Sequence, residues 1–88
     1  MKLIIAIVKD TDNDAVSHAL TSANLRVTCI ASTGGLIRRG FSTLLIGLED
    51  EQVPKAIEII RTSCTPPSDP KAKRATIFVL KVDQYTQF

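Results

Sequence analysis

Two chemically capable groups of residues lie close together in this chain. One is Gly34-Gly35 followed by Arg38 and Arg39; the other is Asn24, Arg26 and Thr28, polar side chains at alternate positions just upstream. Adjacent glycines let successive backbone N–H groups approach an anion as a nest. Guanidinium, amide and hydroxyl groups supply the donors that phosphate oxygens and base edges accept. On a strand, residues at i, i+2 and i+4 share a face. Asn24, Arg26 and Thr28 would then point together, with Leu25, Val27 and Cys29 turned away. The combination fits a phosphate-bearing small molecule. Each part also has a plain structural reading. A hairpin loop uses glycines for positive φ, a polar triplet suits the outer face of an edge strand, and exposed arginines are often only solvated.

Other chemistries find little support. No GK[ST] closes a Walker-type loop and no GxGxxG is present. His18 is the single histidine and falls off the apolar stripe of its helix, without a carboxylate or cysteine partner in view. Asp12 and Asp14 fall at a helix start, where capping and the helix dipole account for them. Cys29 and Cys64 form no CxxC, and with one histidine they make no closed zinc site. Both read as buried free thiols in a reducing compartment. No catalytic residue, metal ligand or cofactor is therefore assigned.

Net charge is +2 and the densest basic cluster is Lys71, Lys73 and Arg74, which reads as a solvated loop. That charge is too mild for a nucleic-acid partner. An RNA-binding sheet would also need stacking aromatics on its central strands, and only Phe41 and Phe78 fall on strands. The apolar run at 3–8 is too short to span a bilayer, and Lys9-Asp10 follow it without a small-residue cleavage site. A cytoplasmic protein with no membrane partner is expected.

The elements that must position these residues follow from periodicity. At 88 residues the chain forms one domain, 1–88. Residues 2–8 read as a strand apolar on both sides, with Leu3, Ile5 and Ile7 on one face and Ile4, Ala6 and Val8 on the other. A helix over 11–24 carries Val16, Ala19, Leu20 and Ala23 at helical spacing. Thr11 and Asp14 resemble a capping box at its start. Strands follow at 25–33 and 41–48, joined as a hairpin. A second helix starts at Asp50 or Glu51, pinned there by Pro54, and carries Val53, Ile57, Ile60 and Cys64 on its apolar stripe. The prolines at 66, 67 and 70 force a loop, and 75–82 make the last strand.

The order β-α-β-β-α-β is the ferredoxin-like α+β arrangement, an antiparallel four-stranded sheet with both helices on one face. A first strand apolar on both sides, with Leu44, Ile46 and Leu48 on the third, asks for a further layer on the uncovered face. A chain this short has nothing left to supply it, so a homo-oligomer is expected.

The segments Met1 to Val8, Asn24-x-Arg26-x-Thr28, Thr33-Gly34-Gly35, Ser42-Thr43 and Ala75 to Asp83 with Gln87-Phe88 resemble the PII-like cyclic-di-AMP receptor proteins over nearly the whole chain. The resemblance implies a homotrimer of the PII signal-transduction class. It would bind a cyclic dinucleotide at clefts between subunits, without catalysis, and relay the signal to an unknown downstream protein. Carried over by position, the ligand contacts would be Asn24, Arg26, Thr28, Gly35, Leu36, Ile37, Gly47 and Gln87. The chain departs from the family pattern at three places. Leu36-Ile37 replace Phe-Leu after the glycines. Phe41 replaces an asparagine and could stack on a base where that residue would hydrogen-bond. The segment 65–74 is shorter than the family's loop. These departures leave open a PII-like trimer that binds a different nucleotide or anion, or a ligand-independent protein-interaction module.

Overall fold

The computed structural model describes residues 1–30, 40–66, 75–84 and 86. The glycine-arginine loop, the basic cluster at 71–74 and Gln87 lie outside the described residues. The elements run β1 (Lys2–Lys9), α1 (Asp10–Ser22), β2 (Arg26–Cys29), β3 (Phe41–Leu48), a short 3-10 turn (Asp50–Gln52), α2 (Val53–Ser63) and β4 (Ala75–Lys81). The four strands form one antiparallel sheet in the order β2-β3-β1-β4. The fold class is α+β, as the periodicity predicts.

The two faces of the sheet fare differently. Ile4, Ala6 and Val8 of β1 and Leu44 and Ile46 of β3 are fully buried, together with Val16 and Leu20 of α1 and Ala56 and Ile60 of α2. Both helices therefore cover the even-numbered side of β1 and β3. Each fully buried aliphatic side chain contributes about 1.5–3 kcal/mol relative to exposure. On the opposite face Leu3, Ile5, Ile7 and Leu45 are only half-buried, and Phe78 and Leu80 are 52% and 47% exposed. Leu44, Ile46 and Leu48 thus face the helices; the uncovered apolar surface comes from the other set. On α2 the buried line is Ala56, Ile60 and Cys64, with Val53 and Ile57 half-buried beside it.

Helix α1 begins one residue earlier than its sequence indicates, because β1 feeds straight into it. Lys9 is the N-cap and makes no side-chain cap, so Thr11 opens no capping box. The Asp10 amide, one of the orphan donors of a helix start, instead donates to the Gly40 carbonyl at 2.9 Å. Asp12 is buried and does not cap its own helix: its Oδ1 accepts from the Thr65 hydroxyl at 2.6 Å, tying α1 to the end of α2. The capping box of the chain belongs to Glu49 and Gln52, ahead of α2.

The other end of α1 corrects a larger expectation. Asn24 is not a strand residue. It sits at φ 65°, the left-handed conformation, one position past the C-cap Ala23. Its amide donates to Thr21 O at 2.9 Å and the Leu25 amide to Leu20 O at 3.1 Å. This is the Schellman pattern, and Leu25 and Leu20 belong to the same buried core cluster. Asparagine tolerates φ > 0 better than other side-chain-bearing residues. The strand begins only at Arg26, so its described part is four residues. Cys29 also departs from expectation. Cys64 is buried, but Cys29 is exposed on edge strand β2, where α1 reaches it through Asn13 Nδ2, 3.6 Å from Sγ.

Candidate functional site

The uncovered face carries a cleft of about 370 Å³ at one end of the sheet. Strand pairing explains its walls. Arg26 lies opposite Gly47 and Thr28 opposite Leu45 across the β2–β3 ladder, and Leu3 lies opposite Gly47 across the β1–β3 ladder. Residues directly opposite in an antiparallel pair share a face. Arg26, Thr28, Leu45, Gly47 and Leu3 therefore meet on one surface, and Met1, Lys2 and Val82 complete the lining.

The chemistry divides cleanly. Leu3, Leu45, Met1 and Val82 make an apolar floor, while Arg26 and Thr28 supply a cation and a hydroxyl; Lys2, whose side chain belongs by alternation to the other face of β1, borders the cleft, and among the described residues no carboxylate lines it. Apolar walls with a few convergent polar groups are the usual make-up of a small-molecule site, and the volume falls at the low end of the ~300–1,000 Å³ range. Arg26 offers the planar fork that matches phosphate oxygens. Gly47 keeps the floor open. A Cβ there would lie 3.3 Å from the Met1 Cε, the tip of a flexible side chain. The glycine is thus needed for space in the cleft more than for backbone conformation.

Of the expected ligand residues, the structure brings Arg26, Thr28 and Gly47 together. Asn24 is exposed at the helix exit and does not line the cleft. Phe41 stands on the same side of β3 by alternation, half-buried, but six residues from Gly47, about 20 Å at the usual strand rise. Gly35, Leu36, Ile37 and Gln87 lie outside the described residues. Sequence reasoning missed Met1, Lys2, Leu3, Leu45 and Val82. The parity of the β2–β3 hairpin would have placed Leu45 beside Thr28; the others depend on the β1 and β4 register.

His18 is exposed on α1. Among the described residues no cluster of histidine, cysteine or carboxylate side chains could hold a metal ion, and no helix is long and apolar enough to cross a membrane. Among the described residues the one pair with a perturbed titration, Glu58 and Arg61, is exposed on α2. The Arg61 hydrogen bond holds the Glu58 carboxyl below the usual carboxylate range.

A crystal structure of a functionally unknown protein from Pediococcus pentosaceus ATCC 25745 is similar to this chain at 38% identity and a TM-score of 0.77; the match covers 99% of this chain and 96% of that one. A family model described as cyclic-di-AMP receptor matches residues 1–70, which include every expected ligand residue except Gln87. Because that match spans residues 1–70 of the 88, the chain belongs to the cyclic-di-AMP receptor family.

Proposed function

We propose that this chain is a PII-like signal-transduction protein of ferredoxin-like topology. It binds a nucleotide, foremost cyclic-di-AMP, at clefts between the subunits of a cytoplasmic homotrimer and relays occupancy to a protein partner. The observation that carries this reading is the convergence of Arg26, Thr28 and Gly47 on one cleft. The cleft lies on the face that one chain leaves uncovered. Leu3, Ile5, Ile7, Phe78 and Leu80 form an apolar surface there, and packing against neighbouring copies would remove it from water. A small cleft on one subunit becomes a full site when a neighbour supplies the opposite wall. The site binds and does not turn over: its donors are suited to phosphate and base contacts, and no nucleophile or general base is assigned.

Isothermal calorimetry with cyclic-di-AMP tests the ligand. Heat with a midpoint at or below micromolar concentration is expected, and silence at high micromolar ligand overturns the assignment. Sedimentation at the mass of three 9.6 kDa chains is the expected assembly.

A second reading keeps the trimer and changes its ligand to another nucleotide or anion, or makes the protein an interaction module. The observation favouring it is the polar inventory. Asn24 terminates a helix, and position 41 carries a phenyl ring where the resemblance implies an amide. A thermal-shift screen across nucleotides separates the readings, since only a ligand of the folded state raises the midpoint.

A further inference from the structure

Met1 is the single methionine of the chain, and strand geometry sets its side chain over the cleft. By alternation it shares the open face with Leu3, and Leu3 pairs directly with Gly47 across the β1–β3 ladder. Met1 is thus the diagonal neighbour of Gly47, a separation that long side chains bridge. Gly47 has no side chain of its own, and Met1 leans into the gap: its Cε lies 3.3 Å from where a Gly47 Cβ would stand. The backbone beneath is tied down. The Val82 amide donates to the Met1 carbonyl at 3.1 Å, one bond beyond the Lys2–Lys81 pair of the β1–β4 ladder. The side chain itself stays 40% exposed and lines the cleft. Among the described apolar lining residues, Val82 is stiff at χ1 and Leu3 and Leu45 stand half-buried in the sheet. Met1 brings three rotatable bonds and a polarizable sulfur.

We propose that Met1 is a ligand-contacting residue that forms the adjustable wall of the cleft. A base entering over Gly47 takes the place of the S-methyl group, and the thioether turns onto the base. This role deepens the nucleotide-binding reading given above and rests on it. Thioether sulfur makes favourable contacts with aromatic rings, often at the ring edge, and methionine adapts to irregular surfaces. The strand order supplies the spacing. Gly47 on β3 lies between Arg26 on β2 and Leu3 on β1, so Arg26 and the β1 wall stand two strand spacings apart, about 10 Å. A nucleotide whose phosphate rests on Arg26 carries its base, one ribose away, across Gly47 toward Met1.

One methionine gives one methyl probe. Protein carrying methionine labelled with carbon-13 at the methyl group shows a single Cε resonance, to be followed by nuclear magnetic resonance as cyclic-di-AMP is added, with calorimetry on the same sample. The resonance is expected to shift in step with calorimetric saturation, and the methyl protons to show nuclear Overhauser contacts to adenine protons. A short serine leader ahead of Met1 then allows the residue to be changed. Against the leader chain with Met1 kept, Met1→Ala is expected to weaken binding about two- to ten-fold, the worth of a sulfur–aromatic contact. Met1→Leu, apolar and of similar volume, should recover part of that loss. Each variant is first checked for a wild-type circular dichroism spectrum. Saturable binding without a methyl shift or an adenine contact, or a Met1→Ala affinity equal to that of the leader chain, overturns the role of Met1 while leaving the functional reading in place. Absence of calorimetric binding overturns the functional reading, and this role with it.

Discussion

The two faces of this sheet are built from the same strands, yet they have opposite fates. On the helix side, Ile4, Ala6, Val8, Leu44 and Ile46 are closed off completely by α1 and α2. On the other side, Leu3, Ile5, Ile7 and Leu45 are only half-buried, and Phe78 and Leu80 stand open. The closed side holds the fold together. The open side is apolar enough to seek a partner, and at its β2 end it carries Arg26 and Thr28 around a cleft. A small domain has little surplus stability, so keeping the packed core on one side and the cleft of the proposed site on the other lets the cleft vary without loosening the core.

The largest break in that separation comes from the closed side. Leu20 is fully buried in the same core cluster as Leu25, whose amide donates to the Leu20 carbonyl at the end of α1. Leu20→Ala should cost about 2–5 kcal/mol of unfolding free energy in urea titrations. Any loss of ligand binding should track the unfolded fraction and vanish under conditions where the variant is folded. An equal loss of affinity in fully folded protein would show that the two sides are coupled.

Arg26→Ala makes the reverse case. Its stability should change by no more than about 0.5 kcal/mol, while nucleotide binding should fall by about 1.5–3 kcal/mol for each charge-assisted hydrogen bond lost. That is roughly ten- to a hundred-fold on the calorimetric Kd. A stability loss as large as the affinity loss would make Arg26 a structural residue. Gly47→Ala sharpens the comparison on the floor of the cleft. The new Cβ would lie 3.3 Å from Met1 Cε, which can swing aside, so the melting temperature should shift by no more than a few degrees. Binding should weaken about ten-fold, because the methyl occupies space between Arg26 and Leu3 that a ligand would fill.

The element order was readable because apolar periodicity alternates between 2 and 3.6 along the chain, and β3 was placed to the residue. Arg26 and Thr28 were readable for the same reason, since alternation on a strand keeps them together wherever the strand goes. The floor of the cleft was not. Leu3, Leu45 and Val82 come from three strands, and only the pairing register brings them beside Arg26. Cys29 looked buried because it alternates with polar neighbours; its exposure follows from β2 being an edge strand, a fact of sheet order that local pattern does not carry. Asp12 looked like a cap because it lies in the first turn of α1, and its contact with Thr65 spans 53 residues of sequence.

Asn24 marks where the two sides meet, and it yields the smallest and most discriminating test. By spacing it belongs with Arg26 and Thr28 on the side of the cleft. By backbone it ends α1 at φ 65° and closes the Schellman hydrogen bonds that seat Leu25 in the core. Two substitutions separate these roles. Glycine adopts the left-handed conformation without penalty, so Asn24→Gly should leave stability within about 0.5 kcal/mol while removing the amide side chain. Alanine removes the same amide and also strains the backbone, so Asn24→Ala should cost about 1 kcal/mol. Comparing nucleotide affinity in the two variants then isolates the side chain. If Asn24 contacts ligand, both bind equally weakly despite their different stabilities. If its work is confined to the helix end, Asn24→Gly binds like wild type, and the polar triplet reduces to the Arg26–Thr28 pair that already lines the cleft.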